Sequence, residues 1–240
     1  MHLLVSVADA IDAREALAGG ADIIDAKDPS RGALGAVAIG RFRRIAEAVG
    51  RSRPLSAALG DADDWSAVRR DAAIFAAAGA SFVKVAVHSA RLDGSCGARP
   101  TDRELRLVVA AYADVPRQAD TIFDIAVRAG AAGVLLDTAD KTAAGLCGLM
   151  TARAIERWIA RAHASGLFAA VAGKLTAHDL PAVRDLGADI AGVRGAACAG
   201  GRTGRITAAR VRALREELGQ RGDPIEANDV DAKRTIAAGA

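Results

Sequence analysis

GGADIIDAK, residues 19–27, joins a glycine-rich helix end to a short apolar strand, and this arrangement recurs along the chain. Comparable elements of small residues lie at 19–22, 79–81, 130–133 and 187–189, and each precedes a strand-like apolar run. Glycine at such positions supplies the left-handed conformation in which many helices end. The recurrence indicates a weak internal repeat of βα units.

The whole chain alternates between strand-like runs and helical patterns. The runs predict strands at 2–7, 21–27, 54–60, 81–87, 105–113, 133–139, 167–173 and 189–194. Helical patterns lie between most of them, at 9–18, 36–49, 64–78, 116–129, 151–165, 176–186 and 207–218. Eight such units predict an α/β fold, a single (β/α)8 TIM barrel, and a doubly wound open sheet is the alternative.

Helix caps and loop composition refine this prediction. Asp9, Thr151 and Thr176 are of the residue types that cap helix starts, so we expect them to cap the helices predicted at 9–18, 151–165 and 176–186. Residues 88–104 are rich in Gly, Ser and Pro, which predicts a short or irregular fourth βα connection. Residues 220–240 show no apolar periodicity.

Composition limits the classes of function. The chain has 240 residues, of which 51% are apolar and 3% aromatic, so it can bury one large aliphatic core. We therefore expect a catalytic barrel over 1–219 and a flexible tail over 220–240. Charges of both signs are mixed and the net charge is +3, which argues against a nucleic-acid partner. Without a signal peptide or a long apolar run, we expect no membrane association and a cytoplasmic location.

The lysines are the most informative side chains. Lys and Arg together number 32, yet only five are Lys: Lys27, Lys84, Lys141, Lys174 and Lys233. Arg stays protonated, whereas Lys loses its proton when it is desolvated or crowded by another cation, and then acts as a nucleophile. The retained lysines are therefore candidates for amine chemistry. Chance survival in an Arg-rich chain is the alternative.

Strand alternation brings several of these groups to one place. Asp25 and Lys27 are two residues apart and share a strand face, Lys84 lies within the fourth strand, and Asp137 precedes Lys141 at the end of the sixth. In barrels, chemistry occurs at the carboxyl ends of the strands. Clustered cations depress an amine's pKa and a carboxylate can transfer protons, which suits Schiff-base chemistry on an aldehyde or ketone.

The sequence also allows other interpretations of these residues. Asp25 and Lys27 could form a plain ion pair at the barrel rim, and Lys141 could be an ordinary surface residue. Asp61 and Asp114 follow the third and fifth strands and would join the same mouth. His88 is more typical of a loop residue than of a catalyst, and the histidine and cysteine spacings predict no metal site.

A second group of residues follows the seventh and eighth strands, in the segments AGKLT and VRGAACAGG. Small residues let a phosphate approach backbone N–H groups, and barrels often bind phosphate in these two loops. Arg194 could instead pair with a neighbouring strand, and the glycines could simply make a flexible loop. The candidate phosphate-binding residues are Gly173, Lys174, Arg194, Gly195 and Ala196.

Segments along the chain also resemble a known family. MHLLVSV, GGADIIDAKDPSRGALGA, FVKVAV, VVAAYAD, VLLDTADK and DIAGVRGAACAGGRTGRI, in this order, resemble (5-formylfuran-3-yl)methyl phosphate synthases, also called 4-(hydroxymethyl)-2-furancarboxaldehyde phosphate synthases. The resemblance runs from Met1 to about residue 218 and, with the composition, suggests a bacterial member. It implies a carbon–oxygen lyase acting on phosphates, which joins two molecules of glyceraldehyde 3-phosphate with loss of phosphate and water. The product would serve methanofuran-type cofactor biosynthesis in one-carbon metabolism.

The resemblance also implies roles for individual residues. Lys27 matches the family's Schiff-base lysine and Asp25 its neighbouring acid, while Lys84 and Lys141 match further active-site lysines, with Asp137 beside them. It implies no cofactor, glyceraldehyde 3-phosphate as the small-molecule partner, and a homo-oligomer. Another class I aldolase or sugar-phosphate isomerase remains an alternative, as does a barrel that binds a phosphorylated metabolite without catalysis.

Overall fold

All eight predicted strands and all seven predicted helices are present in a computed structural model that describes residues 1–87 and 105–219. The strands are β1 (His2–Val7), β2 (Ile23–Ala26), β3 (Leu55–Ala62), β4 (Phe82–Val87), β5 (Arg106–Tyr112), β6 (Gly133–Asp137), β7 (Phe168–Val171) and β8 (Ile190–Val193). The helices are α1 (Ala10–Ala18), α2 (Ile39–Val49), α3 (Trp65–Ala77), α4 (Gln118–Arg128), α5 (Leu146–Leu149), α6 (Ala152–Ala164), α7 (Asp179–Asp185) and α8 (Ala208–Glu217).

The strands form a closed, parallel barrel in chain order. Closure is made by β8, which pairs with β1 so that Ile190 lies opposite His2 and Val193 opposite Val5. The (β/α)8 prediction is therefore confirmed, and the alternative of an open doubly wound sheet is wrong. The predictions for the connection at 88–104, including His88, and for the tail at 220–240 fall outside the described residues.

The small-residue repeats end helices as predicted. One glycine in each repeat adopts a positive φ between 65° and 98°, a conformation that costs little only for a residue without a Cβ. The backbone then reverses and enters the next strand. These four positions are Gly20, Gly79, Gly130 and Gly187.

Two of the three predicted caps are confirmed. Asp9 accepts hydrogen bonds from two N–H groups in the first turn of α1, and Thr151 accepts one in α6. The prediction for Thr176 is wrong. Its N–H and hydroxyl both donate to the Asp179 carboxylate, at 2.8 and 2.7 Å, so the chain makes a turn before α7 begins at Asp179.

The helices pack on the outside of the barrel through regular apolar stripes. In α6 the buried residues are Ile155, Trp158, Ile159 and Ala162, a spacing that places them on one face of a helix. Trp158 also contacts Phe123 of α4, with ring centroids 5.4 Å apart. None of the helices within 1–87 and 105–219 is long and apolar enough to cross a membrane.

A second apolar cluster fills the barrel interior. Leu4, Ile23, Phe82, Leu135 and Ile190 belong to it and form the floor of the barrel. Polar residues continue the same inward-facing rows toward the carboxyl ends of the strands. Short elements not predicted from the sequence add to that end: α5, a single 3-10 turn (Gly195–Ala197), and a small hairpin of β9 (Cys198–Ala199) and β10 (Arg205–Ile206).

Candidate active site

A cavity of about 410 Å³ enters the barrel from the carboxyl ends of the strands. The loops after β7 and β8 form its mouth, and Phe82 and Phe168 lie in its floor, edge to face with centroids 6.2 Å apart. Arg106 stacks on the Phe82 ring at 4.0 Å. Between mouth and floor, the cavity is lined by the polar side chains of Ser6, Lys27, Ser56, Lys84, Asp137 and Lys141.

Asp25 and Lys84 form a buried ion pair beside this cavity. Lys84 Nζ lies 2.7 Å from Asp25 Oδ2, which also accepts a 2.7 Å hydrogen bond from Ser6 Oγ. Asp25 is fully buried, and its Oδ1 has no hydrogen-bond partner among the described residues. Burial alone would raise the pKa of Asp25, but the Lys84 and Lys27 ammonium groups bring it below its ordinary value. The carboxylate therefore stays ionised.

Asp137 and Lys141 form a second pair nearer the mouth. Lys141 Nζ lies 2.6 Å from Asp137 Oδ1 and 3.2 Å from the hydroxyl of Thr138. The same Asp137 oxygen accepts the backbone N–H of Thr138 at 2.8 Å. Asp137 therefore has a fixed orientation at the end of β6. Lys141 lines the cavity, which is not the position of an ordinary surface lysine.

Lys27 differs from the other two lysines. Its side chain is buried, and its amine makes no hydrogen bond or ion pair with any residue in 1–87 or 105–219. Burial is the main cause that lowers the pKa of Lys27 from 10.5 to about 8. Asp137 and Asp25 raise this pKa, whereas Lys84 and Lys141 lower it further. The arrangement produces an amine that is partly neutral near neutral pH.

The Lys27 environment decides one of the open alternatives. A rim ion pair between Asp25 and Lys27 does not form, because Asp25 binds Lys84 across two strand boundaries instead. The structure thus brings Asp25, Lys27, Lys84, Asp137 and Lys141 to one cavity and its wall, as the strand pattern predicts. What each contributes to catalysis stays a prediction.

The predicted phosphate-binding residues all line the mouth of the cavity. The N–H groups of Gly195 and Ala196 have no acceptor within the described part of the chain. The Lys174 ammonium donates to the Ala143 carbonyl oxygen. Gly173 has φ of +100°, and a Cβ there would lie 2.9 Å from the Thr138 methyl carbon.

Arg194 has a mainly structural position. Its guanidinium donates to the carbonyl oxygens of Arg202, Ser6 and Gly204 and lies 3.3 Å from Asp12 Oδ2. Its side chain is only 5% exposed. Most of its N–H groups therefore bond to the protein itself. This favours the alternative in which Arg194 pairs with a neighbouring strand rather than with a phosphate.

Asp61 and Asp114 do not line the cavity. Asp61 accepts a 2.9 Å hydrogen bond from the Tyr112 hydroxyl. Asp114 accepts the N–H groups of Ala139 and Asp140 at 2.7 and 2.8 Å and so holds the loop that carries Lys141. Neither carboxylate is placed to contact a substrate, and Asp114 acts as a support for the loop.

Several residues of the site were not predicted from the sequence. Arg202 donates to the carbonyl oxygens of Pro29 and Gly32, which ties the loop after β8 to the loop after β2. Ser6 interrupts the apolar run of β1 between Leu3 and Val7, and Ser56 interrupts the apolar start of β3, and these interruptions were the available signal. Among residues 1–87 and 105–219, no group of three or more His, Cys, Asp or Glu side chains is arranged to hold a metal ion.

Comparison with known proteins identifies the family of this chain. The family model described as 4-HFC-P synthase matches residues 3–215, which is most of the chain. The chain belongs to this family. Relatives named (5-formylfuran-3-yl)methyl phosphate synthase include the protein of Methanocaldococcus jannaschii, 36% identical over 90% of this chain and 99% of its own. The Methanopyrus kandleri protein of the same name is also 36% identical, over 90% of this chain and 98% of its own.

A bacterial relative of the 4-HFC-P synthase family, from Kitasatospora aureofaciens, is 37% identical over 91% of this chain and 94% of its own, and its name assigns it provisionally to the same synthase. It supports the expectation of a bacterial member. Solved structures agree in fold. A 3-hexulose-6-phosphate synthase superposes with a TM-score of 0.65 at 23% identity, covering 91% of this chain and all of its own. Phosphoribosyl anthranilate isomerase from Thermotoga maritima gives 0.67 at 12% identity, covering 91% and 98%.

Proposed function

We propose that this protein joins two molecules of glyceraldehyde 3-phosphate into (5-formylfuran-3-yl)methyl phosphate through an imine on Lys27, with loss of phosphate and water. The observation that carries the proposal is the Lys27 amine, which is buried in the cavity, unpaired among the described residues and lowered in pKa to about 8. Membership of the 4-HFC-P synthase family and the names of its relatives support the product.

The chemistry begins with attack of the neutral Lys27 amine on the carbonyl carbon of one triose phosphate. Water leaves, and the protonated imine becomes an electron sink for the neighbouring carbon. Loss of a proton from that carbon gives an enamine, which expels the phosphate from the next carbon and leaves that carbon as the nucleophilic end of an enol. This carbon attacks the ketone of the second triose phosphate, which reacts as its ketose isomer. The terminal hydroxyl of the ketose then closes the ring, two water molecules are eliminated, and hydrolysis of the imine restores the amine. Every step is an addition, an elimination or a proton transfer, so the scheme needs no redox cofactor.

Asp137 is the carboxylate we favour for the proton transfers. Among the charged neighbours of Lys27 it has the strongest influence on the lysine pKa, and Thr138 and Lys141 hold it in one orientation. Asp25 is the second candidate. Its lowered pKa makes Asp25 a weak base, and it serves first to balance the buried charge of Lys84.

Lys84 and Lys141 act on Lys27 through their charge. Both lower its pKa, and their positive field also favours the phosphate group that has to leave. Lys141 lies nearer the mouth and is the better placed of the two to meet a phosphate. At the other side of the mouth, the unpaired N–H groups of Gly195 and Ala196, with Lys174 beside them, are suited to the phosphate that is retained.

The direct test is product formation from a single substrate. Purified protein incubated with glyceraldehyde 3-phosphate alone should release inorganic phosphate and produce the absorbance of a furan aldehyde, and mass spectrometry should identify the phosphorylated product. A different class I aldolase or an isomerase would produce another sugar phosphate and no furan. A barrel that only binds phosphometabolites would bind the substrate without turnover. Either outcome would refute the proposal.

The product chemistry suggests the cellular role. We propose that the furan aldehyde phosphate supplies methanofuran-type cofactor biosynthesis in one-carbon metabolism, and that the protein works as a homo-oligomer on this small phosphorylated substrate. Deletion of the gene in its host should remove the methanofuran-type cofactor, and supply of the furan product should restore it. A normal level of the cofactor in the deletion strain would contradict this role.

A further inference from the structure

Two buried polar atoms beside the cavity have no hydrogen-bond partner among the described residues. They are Ser56 Oγ and Asp25 Oδ1. Ser56 is 1% exposed and lines the same cavity as Lys27 and Lys84. Asp25 lies opposite Ser56 in the β2–β3 register, so both side chains project from the same face of the sheet into the barrel.

The two atoms differ in what they can bind. The Ser56 hydroxyl both donates and accepts a hydrogen bond, whereas an ionised carboxylate oxygen only accepts. An alcohol hydroxyl satisfies both, because it accepts a hydrogen bond from Ser56 and presents a proton to Asp25. The carboxylate also disfavours a phosphate at this point, because the phosphate is itself an anion. The chemistry of the pair therefore suits a neutral hydroxyl group better than a phosphate.

We propose that Ser56, which lies opposite Asp25 in the β2–β3 register, is the subsite that binds the substrate hydroxyl on the carbon next to the carbonyl that reacts with Lys27. This assignment rests on the proposed function for the identity of the substrate. Ser56 is a positioning residue in this scheme. It orients the carbon that loses a proton, and it discriminates hydroxylated triose phosphates from their deoxy analogues.

The test compares two aldehydes with wild-type protein and S56A. Glyceraldehyde 3-phosphate carries the hydroxyl, and its 2-deoxy analogue, 3-oxopropyl phosphate, does not. Borohydride trapping on the peptide that holds Lys27 gives the initial rate of adduct formation for each. S56A should slow trapping of glyceraldehyde 3-phosphate about tenfold and leave trapping of the deoxy analogue unchanged, because only the former loses a hydrogen bond. Equal changes with the two aldehydes, or none with either, would overturn the subsite.

Stability measurements separate a binding role from a structural one. Ser56 makes no hydrogen bond within the described part of the protein, so S56A should keep or raise the Tm. S6A should lower it, because Ser6 donates to Asp25 at 2.7 Å. S52A is the matched control, since that exposed serine precedes the same strand and donates only to the Val49 carbonyl, and its trapping rates should equal those of wild type. A lower Tm for S56A would indicate a structural role and contradict the proposal.

The same design separates failure of the subsite from failure of the imine chemistry. If wild-type protein formed no adduct with either aldehyde, the role of Lys27 would be refuted. Calorimetric affinities of the two aldehydes would then decide the subsite alone. Wild-type protein should bind the hydroxylated aldehyde more tightly, and S56A should lose this preference. A preference that S56A retained would overturn the assignment of Ser56.

Discussion

Removal of the Lys27 amine is expected to abolish imine formation and at the same time to stabilise the protein. The change is Lys27→Met, which keeps the approximate length and the apolar contacts of the side chain. The structure buries an ammonium group here, no carboxylate in 1–87 or 105–219 is bonded to it, and the folded state resists its protonation. A catalytic group held in this state costs stability, and its replacement by an apolar group recovers that cost.

The shift in the Lys27 pKa sets the expected size of both effects, on imine formation and on stability. A shift from 10.5 to about 8 means that roughly one amine in ten is neutral at pH 7, against about three in ten thousand for an ordinary lysine, a gain of roughly 300-fold. The same shift corresponds to about 3 kcal/mol of unfolding free energy. Between pH 8 and 10.5 the unfolded chain holds more protons on this group, so stability should rise with pH across that window. Below about pH 8 the full penalty is present.

The assay has two parts. Urea denaturation at pH 7 should show Lys27→Met more stable than wild type by up to about 3 kcal/mol, with the difference vanishing near pH 10.5. Borohydride with glyceraldehyde 3-phosphate should modify wild type on the Lys27 peptide and leave the variant unmodified. The trapping rate should rise with pH to a plateau above about pH 8. Lys233→Arg is the control lysine replacement and should trap like wild type.

Three results would refute this reasoning. They are an adduct on Lys84 or Lys141 in wild type, turnover with no adduct on any lysine, and a Lys27→Met variant that is less stable at pH 7. Lys84→Arg should retain some trapping, since its charge is kept. Lys27→Arg should also abolish trapping, but a guanidinium cannot lose its proton in this buried position and should destabilise the fold. The methionine variant is therefore the better probe.

The remaining predictions concern a charged neighbour of Lys27, the phosphate site, a buried ion pair and the C-terminal residues. Asp137→Asn removes the charge that raises the Lys27 pKa most, so the pH at half-maximal trapping should fall below about 8. Gly195→Val should fold, since the contacts nearest to a Cβ there are at 3.8 Å, yet raise the KM for glyceraldehyde 3-phosphate about tenfold by blocking backbone approach; an unchanged KM would move the phosphate site elsewhere. Asp12→Ala leaves the buried Arg194 charge without its carboxylate and should cost about 3 kcal/mol in urea denaturation, and a loss under 1 kcal/mol would contradict that account. Removal of residues 220–240 should change neither Tm nor kcat/KM, and a loss of either would show that the tail docks on the barrel or on another subunit.

Local patterns were sufficient to predict the architecture. Apolar runs, helical periodicity and the glycine repeats act over a few residues, and each of the eight strands and seven helices lies where these patterns predict. Closure into a barrel followed from the number of βα units. The predicted cap at Thr176 was wrong because the Asp179 carboxylate stabilises a turn there instead of a helix start. Turns and helix starts favour the same residue types, so the sequence does not distinguish them at this position.

The candidate site was likewise predicted in part from the sequence and decided in part by the tertiary structure. Strand alternation and the scarcity of lysine pointed to Asp25, Lys27, Lys84, Asp137 and Lys141 without any tertiary information. The partner of each charge depended on register around the closed barrel, which sets Asp25 against Lys84 rather than Lys27. Residues far apart in the chain, such as Asp12 and Arg194, meet only after β8 pairs with β1. Sequence therefore determined which residues face the barrel interior, because that parity is local. Tertiary structure decided which amine is left unpaired and desolvated, because pairing and burial depend on strands distant in the chain.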